Sequence, residues 1–479
     1  MSPGTSFRRA ATVAATALLL GASSLALAAA TIVIVNGDGP GEGFNDPTPV
    51  APVGGNPGTS LGAQRLNAFQ YAANLWGATL TSTTPIVVYA VFDPLPCTAT
   101  SAVLGAAGTW SVFANFPGAP AANTWYHGAL ADKISGVDID PGEIDIIAQF
   151  NVNLGQPGCF TGSFFYLGLD NNAPAGQPDL VAVLLHEFGH GLGFSAVTSG
   201  NTGARIGPPF FPTVWEGNVL DTTTGLTWLQ MDDLQRASSA RKPRKLVWTG
   251  ANTTSSAPSV LLAGTPRLVV GGANAAAGTY DVGAASFGPV LTSAGVTGDI
   301  MPVVDQVNGT GLACNPLDPL NALAVAGNIA LVDRGVCGFT VKVKNAQDAG
   351  AKAVIVVESV AGGPPTGLGG TDPTVTIPSV RVTLDDGNLI KAALQFRSRT
   401  RSGVIGTLNL NTAQLAGADP LGRLLLFTPN PFQQGSSVSH WDTSAIPNLL
   451  MEPSINPDLS HSVVPPQDLT FRLLQDIGW

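Results

Sequence analysis

Two histidines and a glutamate lie close together in the segment DLVAVLLHEFGHGLGF, residues 179–194. His186 and His190 are four positions apart, so on a helix both imidazoles lie on one face and can bind the same zinc ion. Glu187 lies about a hundred degrees round such a helix from His186, where it can serve as general base towards a zinc-activated water. The alternative is a pair of surface histidines flanking an ordinary glutamate. The leucines and Phe188 around them instead predict burial, where unpaired imidazoles would cost free energy.

The third ligand is not specified by this segment. A catalytic zinc site usually has three protein ligands and one open position. With five histidines in the chain, the remaining candidates are His127, His440, His461 or a carboxylate. The short metzincin motif would place the ligand at position 196, which is Ala196. Ser195 does not lie in a G-x-S-x-G elbow, so the sequence does not support serine-hydrolase chemistry.

Two windows resemble the leishmanolysin family of metzincin-like zinc proteases: HEFGHGLGFS at 186–195 and SHWDTSAIPNLLMEP at 439–453. In that family an insertion separates the second zinc-binding histidine from the third. The resemblance implies that Met451 forms a Met-turn, an apolar floor beneath the metal. The implied site holds one catalytic Zn²⁺ on three histidines: His186, His190 and His440.

A second resemblance lies between these windows. The segment NIALVDRGVCGFTVKVKNAQDAGAKAVIVV, residues 328–357, resembles a protease-associated (PA) domain, and the similarity extends over much of 258–413. Its pattern predicts a strand, a tight turn, a helix over 342–351 and a buried strand. It has no G-K-[ST], so nucleotide binding is not predicted. PA domains are not catalytic, and the resemblance makes this domain a candidate for restricting access or binding substrate segments.

The elements needed to position these residues follow from periodicity. Apolar spacing predicts a helix over 63–76 and a zinc helix over 179–191, with a last helix at the C-terminus. Strands are predicted over 85–92, 143–150, 162–167 and 423–427, and a linker or boundary over 253–260. The expected fold class is α+β, a zincin/metzincin-like catalytic domain split by an inserted, mostly β PA domain. The predicted divisions are 1–30, a signal peptide; 31–255, the catalytic domain's first part with the zinc helix; 256–413, the PA domain; and 414–479, the second catalytic part with the third ligand and the Met-turn.

The N-terminus and the cysteines indicate export. Arg8 and Arg9 precede an uncharged apolar stretch and small residues around 26–30, a pattern typical of a signal peptide rather than a membrane anchor or a buried first helix. The protein is therefore expected to be secreted, extracellular or periplasmic. Four cysteines without a C-x-x-C pair then suggest two disulfides with three connectivities, the alternative being free buried thiols. We favour Cys97–Cys159 and Cys314–Cys337, because each pair falls within one predicted domain.

Composition limits the partners. Only 11% of residues are charged and the net charge is −10, so nucleic acid and anionic membranes are poor partners, and protein or peptide substrates are expected. Acidic loops offer oxygen ligands for Ca²⁺, but neither has EF-hand spacing, so calcium is unsupported. These loops contain Asp38, Glu42 and Asp46, and Asp138, Asp140, Glu143 and Asp145. His127, His461 and the side chain of Lys342 are expected at the surface.

Together these features predict a secreted zinc-dependent endopeptidase with Glu187 as general base. The main alternative is an exported PA-domain binding module on a catalytically inactive protease scaffold. A third possibility is a zinc hydrolase acting on a non-peptide ester or amide.

Overall fold

The structure is a computed structural model and describes residues 29–479. The predicted signal peptide, residues 1–30, lies outside the described residues except for its last two positions. Ala30 is buried, and its backbone N–H donates to the carbonyls of Gly77 and Leu80 at 3.0 and 3.1 Å. Ala30 therefore packs as part of the fold, one residue earlier than expected. Within 29–479, none of the helices combines the length and the apolar character needed to cross a membrane.

The first part of the chain alternates short strands with helices. Its strands are β1 (Ile32–Asn36), β2 (Ile86–Asp93), β3 (Cys97–Thr98), β4 (Ser101–Ala102), β5 (Gly105–Thr109), β6 (Val112–Phe113), β7 (Tyr126–His127), β8 (Ile146–Asn151), β9 (Val219–Asp221), β10 (Leu226–Thr227) and β11 (Leu246–Trp248). Its helices are α1 (Leu61–Thr79), α2 (Gly128–Ser135), α3 (Leu180–Leu192), α4 (Asp233–Ser239) and α5 (Ala251–Ser256).

A four-stranded sheet supports α3, the helix predicted to bind zinc. Strands β1, β2 and β8 pair in parallel, and β5 pairs antiparallel with β8 at the outer edge. Helix α3 packs against β5 and β8, and α1 packs against β1 and α3. The indole N–H of Trp76 in α1 donates to the carbonyl of Leu185 in α3 at 3.1 Å. The sheet and the neighbouring helix α1 together hold α3 in place.

Helix α3 begins and ends where its sequence predicts. The Asp179 side chain accepts hydrogen bonds from the amides of Val181 and Ala182, as an N-cap should, and the helix stops at Gly193. All of its residues are buried, including the two histidines and the glutamate. Since apolar packing covers the rest of the helix, the three polar side chains lie in a desolvated environment.

The next part of the chain forms an eight-stranded sheet. Its strands are β12 (Ala263–Gly271), β13 (Gly278–Asp281), β14 (Gly283–Ala284), β15 (Val296–Pro302), β16 (Ile329–Asp333), β17 (Ala353–Val357), β18 (Ser379–Val382) and β19 (Ile405–Leu415), in the order β13-β12-β19-β15-β16-β17-β18-β14. Its helices are α6 (Pro319–Val325), α7 (Phe339–Asp348) and α8 (Leu384–Ala393), and the chain later ends in α9 (Thr470–Ile477). Strands β15 to β18 pair in parallel, and β12 pairs antiparallel with β19.

The apolar cores follow this division. The largest cluster combines residues between 30 and 261 with residues between 418 and 477. Two further clusters lie within 268–408 and 287–375. Disulfides join Cys97 to Cys159 and Cys314 to Cys337, the pairs that the sequence favours. Each therefore closes a loop on one side of the division.

Two predicted strands differ in the structure, and the segment predicted as a linker or boundary is helical. Residues 162–167 form no strand and make only a single bridge, between Tyr166 and Asp179. The Ser/Thr-rich stretch 253–260 is largely helical, because the carboxylate of Asp476 in α9 accepts the amides of Asn252 and Thr253 at the start of α5. Residues 423–427 make isolated bridges to three separate segments instead of a continuous strand.

Candidate metal centre

His186 and His190 face each other from successive turns of α3. Their Nε2 atoms are 3.1 Å apart. Because the helix period brings residues i and i+4 to one face, this approach follows directly from the four-residue spacing. Both side chains retain only a small exposed fraction, 6% and 8% respectively.

His440 reaches the same point from a distant part of the chain. Its Nε2 lies 3.2 Å from Nε2 of His186 and 3.2 Å from Nε2 of His190. Backbone hydrogen bonds hold it there: the amide of Phe427 donates to the His440 carbonyl at 2.8 Å, and the amide of Trp441 donates to the Met451 carbonyl at 2.8 Å. Within residues 29–479, these three histidines form one of two groups whose ligand atoms could hold a metal ion.

The outer ring nitrogens determine the tautomers. A backbone carbonyl can only accept a hydrogen bond, so each Nδ1 that faces one must carry the proton. Nδ1 of His186 donates to the Leu450 carbonyl at 2.7 Å, and Nδ1 of His190 donates to the Phe194 carbonyl at 2.7 Å. Nδ1 of His440 donates to the Ser436 carbonyl at 2.8 Å. All three Nε2 lone pairs therefore point inwards, with partners on Nδ1 of the kind that orient metal-binding histidines.

Burial keeps these imidazoles neutral. Desolvation lowers the pKa of His186 to about 3, helped by the neighbouring His190, and lowers the pKa of His190 to about 4. Desolvation and the two other histidines hold the pKa of His440 well below 6.5. Three neutral imidazoles whose lone pairs converge form a donor set that fits Zn²⁺. The residues present therefore fit the metal that the sequence implies.

Glu187 is buried next to the histidines, on the side of β5. Burial raises its pKa to about 8, opposed by a hydrogen bond from the backbone of Ala107 in β5. A Cβ at Gly105, also in β5, would lie 3.2 Å from Cγ of Glu187. The outer strand of the sheet thus passes directly beside the carboxyl group.

Met451 packs beneath α3. It is fully buried, and a Cβ at Gly189 would lie 2.9 Å from its sulfur. Two residues further, on another face of the helix, a Cβ at Gly191 would lie 2.5 Å from Cγ2 of Ile146 in β8. The helix glycines are therefore explained by close approach of Met451 and β8.

The acidic loops are used mainly for local structure. Oδ2 and Oδ1 of Asp38 accept the amides of Phe44 and Phe92, and Asp46 pairs with Arg65. In the second loop, Asp138 and Asp140 do approach a third carboxylate, but it is Asp132 of α2. The sequence did not single out Asp132, because a lone aspartate on a helix carries no motif. Glu143 and Asp145 are not in this group, and Oδ2 of Asp145 accepts the Val87 amide at 2.7 Å.

Three surface predictions are wrong. His127 is buried and its Nε2 lies 3.0 Å from Oγ of Ser195, so it supports the loop after α3 rather than joining the metal centre. Nε2 of His461 pairs with Oδ1 of Asp179 at 3.0 Å, and that side chain is only 7% exposed. Lys342 is fully buried, and its ammonium group donates to the Leu312 carbonyl at 2.6 Å.

Comparison with known proteins identifies one domain. Residues 296–390 match the PA domain family. A probable lipoprotein aminopeptidase, LpqL of Mycobacterium tuberculosis, is 36% identical over 109 residues, 23% of this chain and 19% of its own length. Signal peptide peptidase-like 4 of rice, Oryza sativa subsp. japonica, is 35% identical over 115 residues, 23% of this chain and 19% of its own. The chain thus spans about a fifth of the length of these relatives.

Solved structures give matches of low overall similarity. A zinc aminopeptidase from Bacillus subtilis is 23% identical, with 34% of this chain and 35% of that chain covered and a TM-score of 0.22. An aminopeptidase from Aneurinibacillus is 19% identical, with 42% of each chain covered and a TM-score of 0.22. The chain therefore contains a PA domain, and part of it is related to part of a peptidase.

Proposed function

We propose that this protein is a secreted zinc-dependent endopeptidase of leishmanolysin-like, metzincin type. The observation that carries the proposal is the convergence of His186, His190 and His440, whose Nε2 atoms lie 3.1–3.2 Å from one another beside buried Glu187. Zinc held by these residues would supply a Lewis acid that polarises the scissile carbonyl and lowers the pKa of water. A cation bound beside Glu187 would favour its ionised form, and the carboxylate would then take the proton of the attacking water and return it to the leaving amine.

The sheet edge supports a peptide substrate. Strand β5 is an outer strand, and it runs past Glu187. An unpaired strand edge offers backbone N–H and C=O groups that can pair with an extended peptide. A peptide aligned with β5 would pass its backbone close to the proposed general base, which a small ester would not require.

We also propose the domain organisation that the sequence predicts. Residues 1–30 would direct export, and two disulfides accord with an oxidising compartment. Residues 31–255 and 414–479 would together form the catalytic domain, with 256–413 as the inserted PA domain. The shared apolar core of the two outer segments supports this division.

The test is zinc content by elemental analysis on wild type and His440→Ala, with casein hydrolysis measured alongside. We expect one zinc per wild-type chain and loss of both zinc and activity in His440→Ala, because two imidazoles from one helix bind zinc far more weakly than three. His127→Gln is the matched control, a buried histidine outside the site, and should retain its zinc. Zinc retained by His440→Ala would exclude His440 as a ligand. Zinc without hydrolysis in wild type would favour the inactive binding module or a non-peptide substrate.

A further inference from the structure

The loop that carries His440 lies between the catalytic core and the inserted domain. We define the His440 loop as residues 427–442. Its ends are joined by hydrogen bonds between the Val438 amide and the Phe427 carbonyl, and between the Phe427 amide and the His440 carbonyl, both 2.8 Å. Because Nδ1 of His440 donates to the Ser436 carbonyl within the same loop, the path of the loop determines where Nε2 points.

The inserted domain is hydrogen-bonded to this loop near its N-terminal end, at Asn430. The Gly363 amide donates to the Asn430 carbonyl at 2.9 Å, and the Asn430 amide donates to the Gly363 carbonyl at 2.7 Å. The approach depends on glycine: at Gly362, with φ +123°, a Cβ would lie 1.9 Å from the Asn430 carbonyl oxygen. A side chain at position 362 would therefore push the two segments apart.

A second link runs through Arg244. Its side chain is 8% exposed, and its Nε lies 3.4 Å from Oδ1 of Asp442, at the other end of the His440 loop. Its Nη1 lies 3.8 Å from Oδ1 of Asp281 in β13 of the inserted domain. Asp442 is itself buried, and its Oδ1 also accepts hydrogen bonds from the amide and the hydroxyl of Ser444. Arg244 thus connects both catalytic segments with the inserted domain.

We propose that the inserted domain positions His440 for metal binding, with Arg244 as the positioning residue; this inference rests on the proposed function. The backbone bridge at Asn430 holds one end of the loop, and the Arg244–Asp442 ion pair holds the other. Without them the loop gains conformations in which the His440 imidazole no longer meets the pair on α3. The inserted domain would then be part of the metal centre's support, in addition to any role in substrate access.

The experiment uses the full mature chain with two disruptive variants and a matched control for each. Gly362→Ala breaks the bridge, and Gly309→Ala is its control, because position 309 also has a positive φ, +83°, but no atom lies within 4 Å of its Cβ. Asp281→Lys reverses the charge of the side chain that pairs with Arg244, and the Asp281 side chain is 49% exposed. Asp348→Lys is its control. It reverses the charge of a side chain that is 57% exposed and pairs with Lys344 rather than with Arg244.

Zinc affinity is measured by chelator competition, and hydrogen exchange of residues 427–442 is measured in the zinc-free chain. We expect Gly362→Ala and Asp281→Lys to weaken zinc binding by roughly 10-fold and to speed exchange in the His440 loop, with both controls like wild type. If hydrogen exchange of the His440 loop is as slow in both disruptive variants as in wild type, the proposal is overturned. If wild type binds no zinc, the proposed function fails, while exchange in the zinc-free chain still decides whether the inserted domain holds the loop.

Discussion

At the residue scale, the site depends on which atoms hold protons. The three histidines are neutral and carry their protons on Nδ1, whereas burial favours a protonated Glu187, whose pKa is about 8. A cation beside that carboxyl would lower its pKa, because an opposite charge favours the ionised form. Burial therefore keeps the imidazoles neutral, as metal binding requires, and makes the pKa of the Glu187 carboxyl sensitive to a nearby cation.

Replacing Glu187 by glutamine separates binding from catalysis. Glutamine has nearly the same shape but cannot accept the proton, so kcat for casein should fall by about 10²–10⁴-fold. Zinc content should stay at the wild-type level, because Glu187 is not among the converging ligands. The measurement is steady-state kinetics together with elemental analysis. Near-wild-type kcat would remove Glu187 from the mechanism, and loss of zinc would make it a ligand.

At the element scale, the position of α3 depends on how closely it approaches β8 and the Met451 turn. Glycines in a helix interior normally destabilise it by roughly 1 kcal/mol each relative to alanine. Here they remove Cβ atoms that would lie 2.9 Å from the Met451 sulfur and 2.5 Å from Ile146. Close packing of the helix therefore outweighs its intrinsic propensity.

Gly191→Ala tests this balance. The added methyl should overpack against Ile146 and destabilise the fold by about 1–3 kcal/mol, despite alanine's higher helix propensity. The measurement is urea unfolding of the zinc-free chain. In a double-mutant cycle, Ile146→Ala should cost less in the Gly191→Ala background, because it removes the atoms that the new methyl meets. A Gly191→Ala chain as stable as wild type would refute the packing argument.

At the scale of the whole molecule, the proposed insertion leaves the apolar core of the two outer segments continuous because it begins and ends on paired strands. Strand β12 runs antiparallel to β19, and the Ala416 amide donates to the Leu262 carbonyl at 2.9 Å. The chain therefore returns to the point it left, and Trp441 and Met451 complete the core begun by residues 30–261.

The buried carboxyls predict how stability depends on pH. Desolvation raises the pKa of Glu452 to about 8 and that of Asp132 to about 7, above the ordinary values of 4.5 and 3.8. Above pH 6.5 the unfolded chain has already released these protons and the folded chain has not, so stability falls as pH rises towards 9. Histidines with lowered pKa act in the opposite sense, mainly near and below pH 6.5, and their contribution is the same in wild type and in a Glu452 variant.

Unfolding of the zinc-free chain should therefore be measured at pH 6.5 and pH 9. We expect wild type to lose stability over this range and Glu452→Gln to lose about 1–2 kcal/mol less, because glutamine stays neutral. Glu143→Gln is the control, since Glu143 is exposed, and should follow wild type. Equal pH dependence in wild type and Glu452→Gln would contradict a buried neutral Glu452.

The sequence by itself determined what depends on local periodicity. The four-residue spacing and the Asp179 cap placed His186, Glu187 and His190 on one helix, because helical hydrogen bonds join residues close in the chain. Only the tertiary structure decided what depends on long-range packing. Nothing local placed His440 beside residues about 250 positions away; only the family resemblance suggested it. Burial of His127 and Lys342 likewise depended on which elements packed over them, and periodicity within a segment does not contain that information.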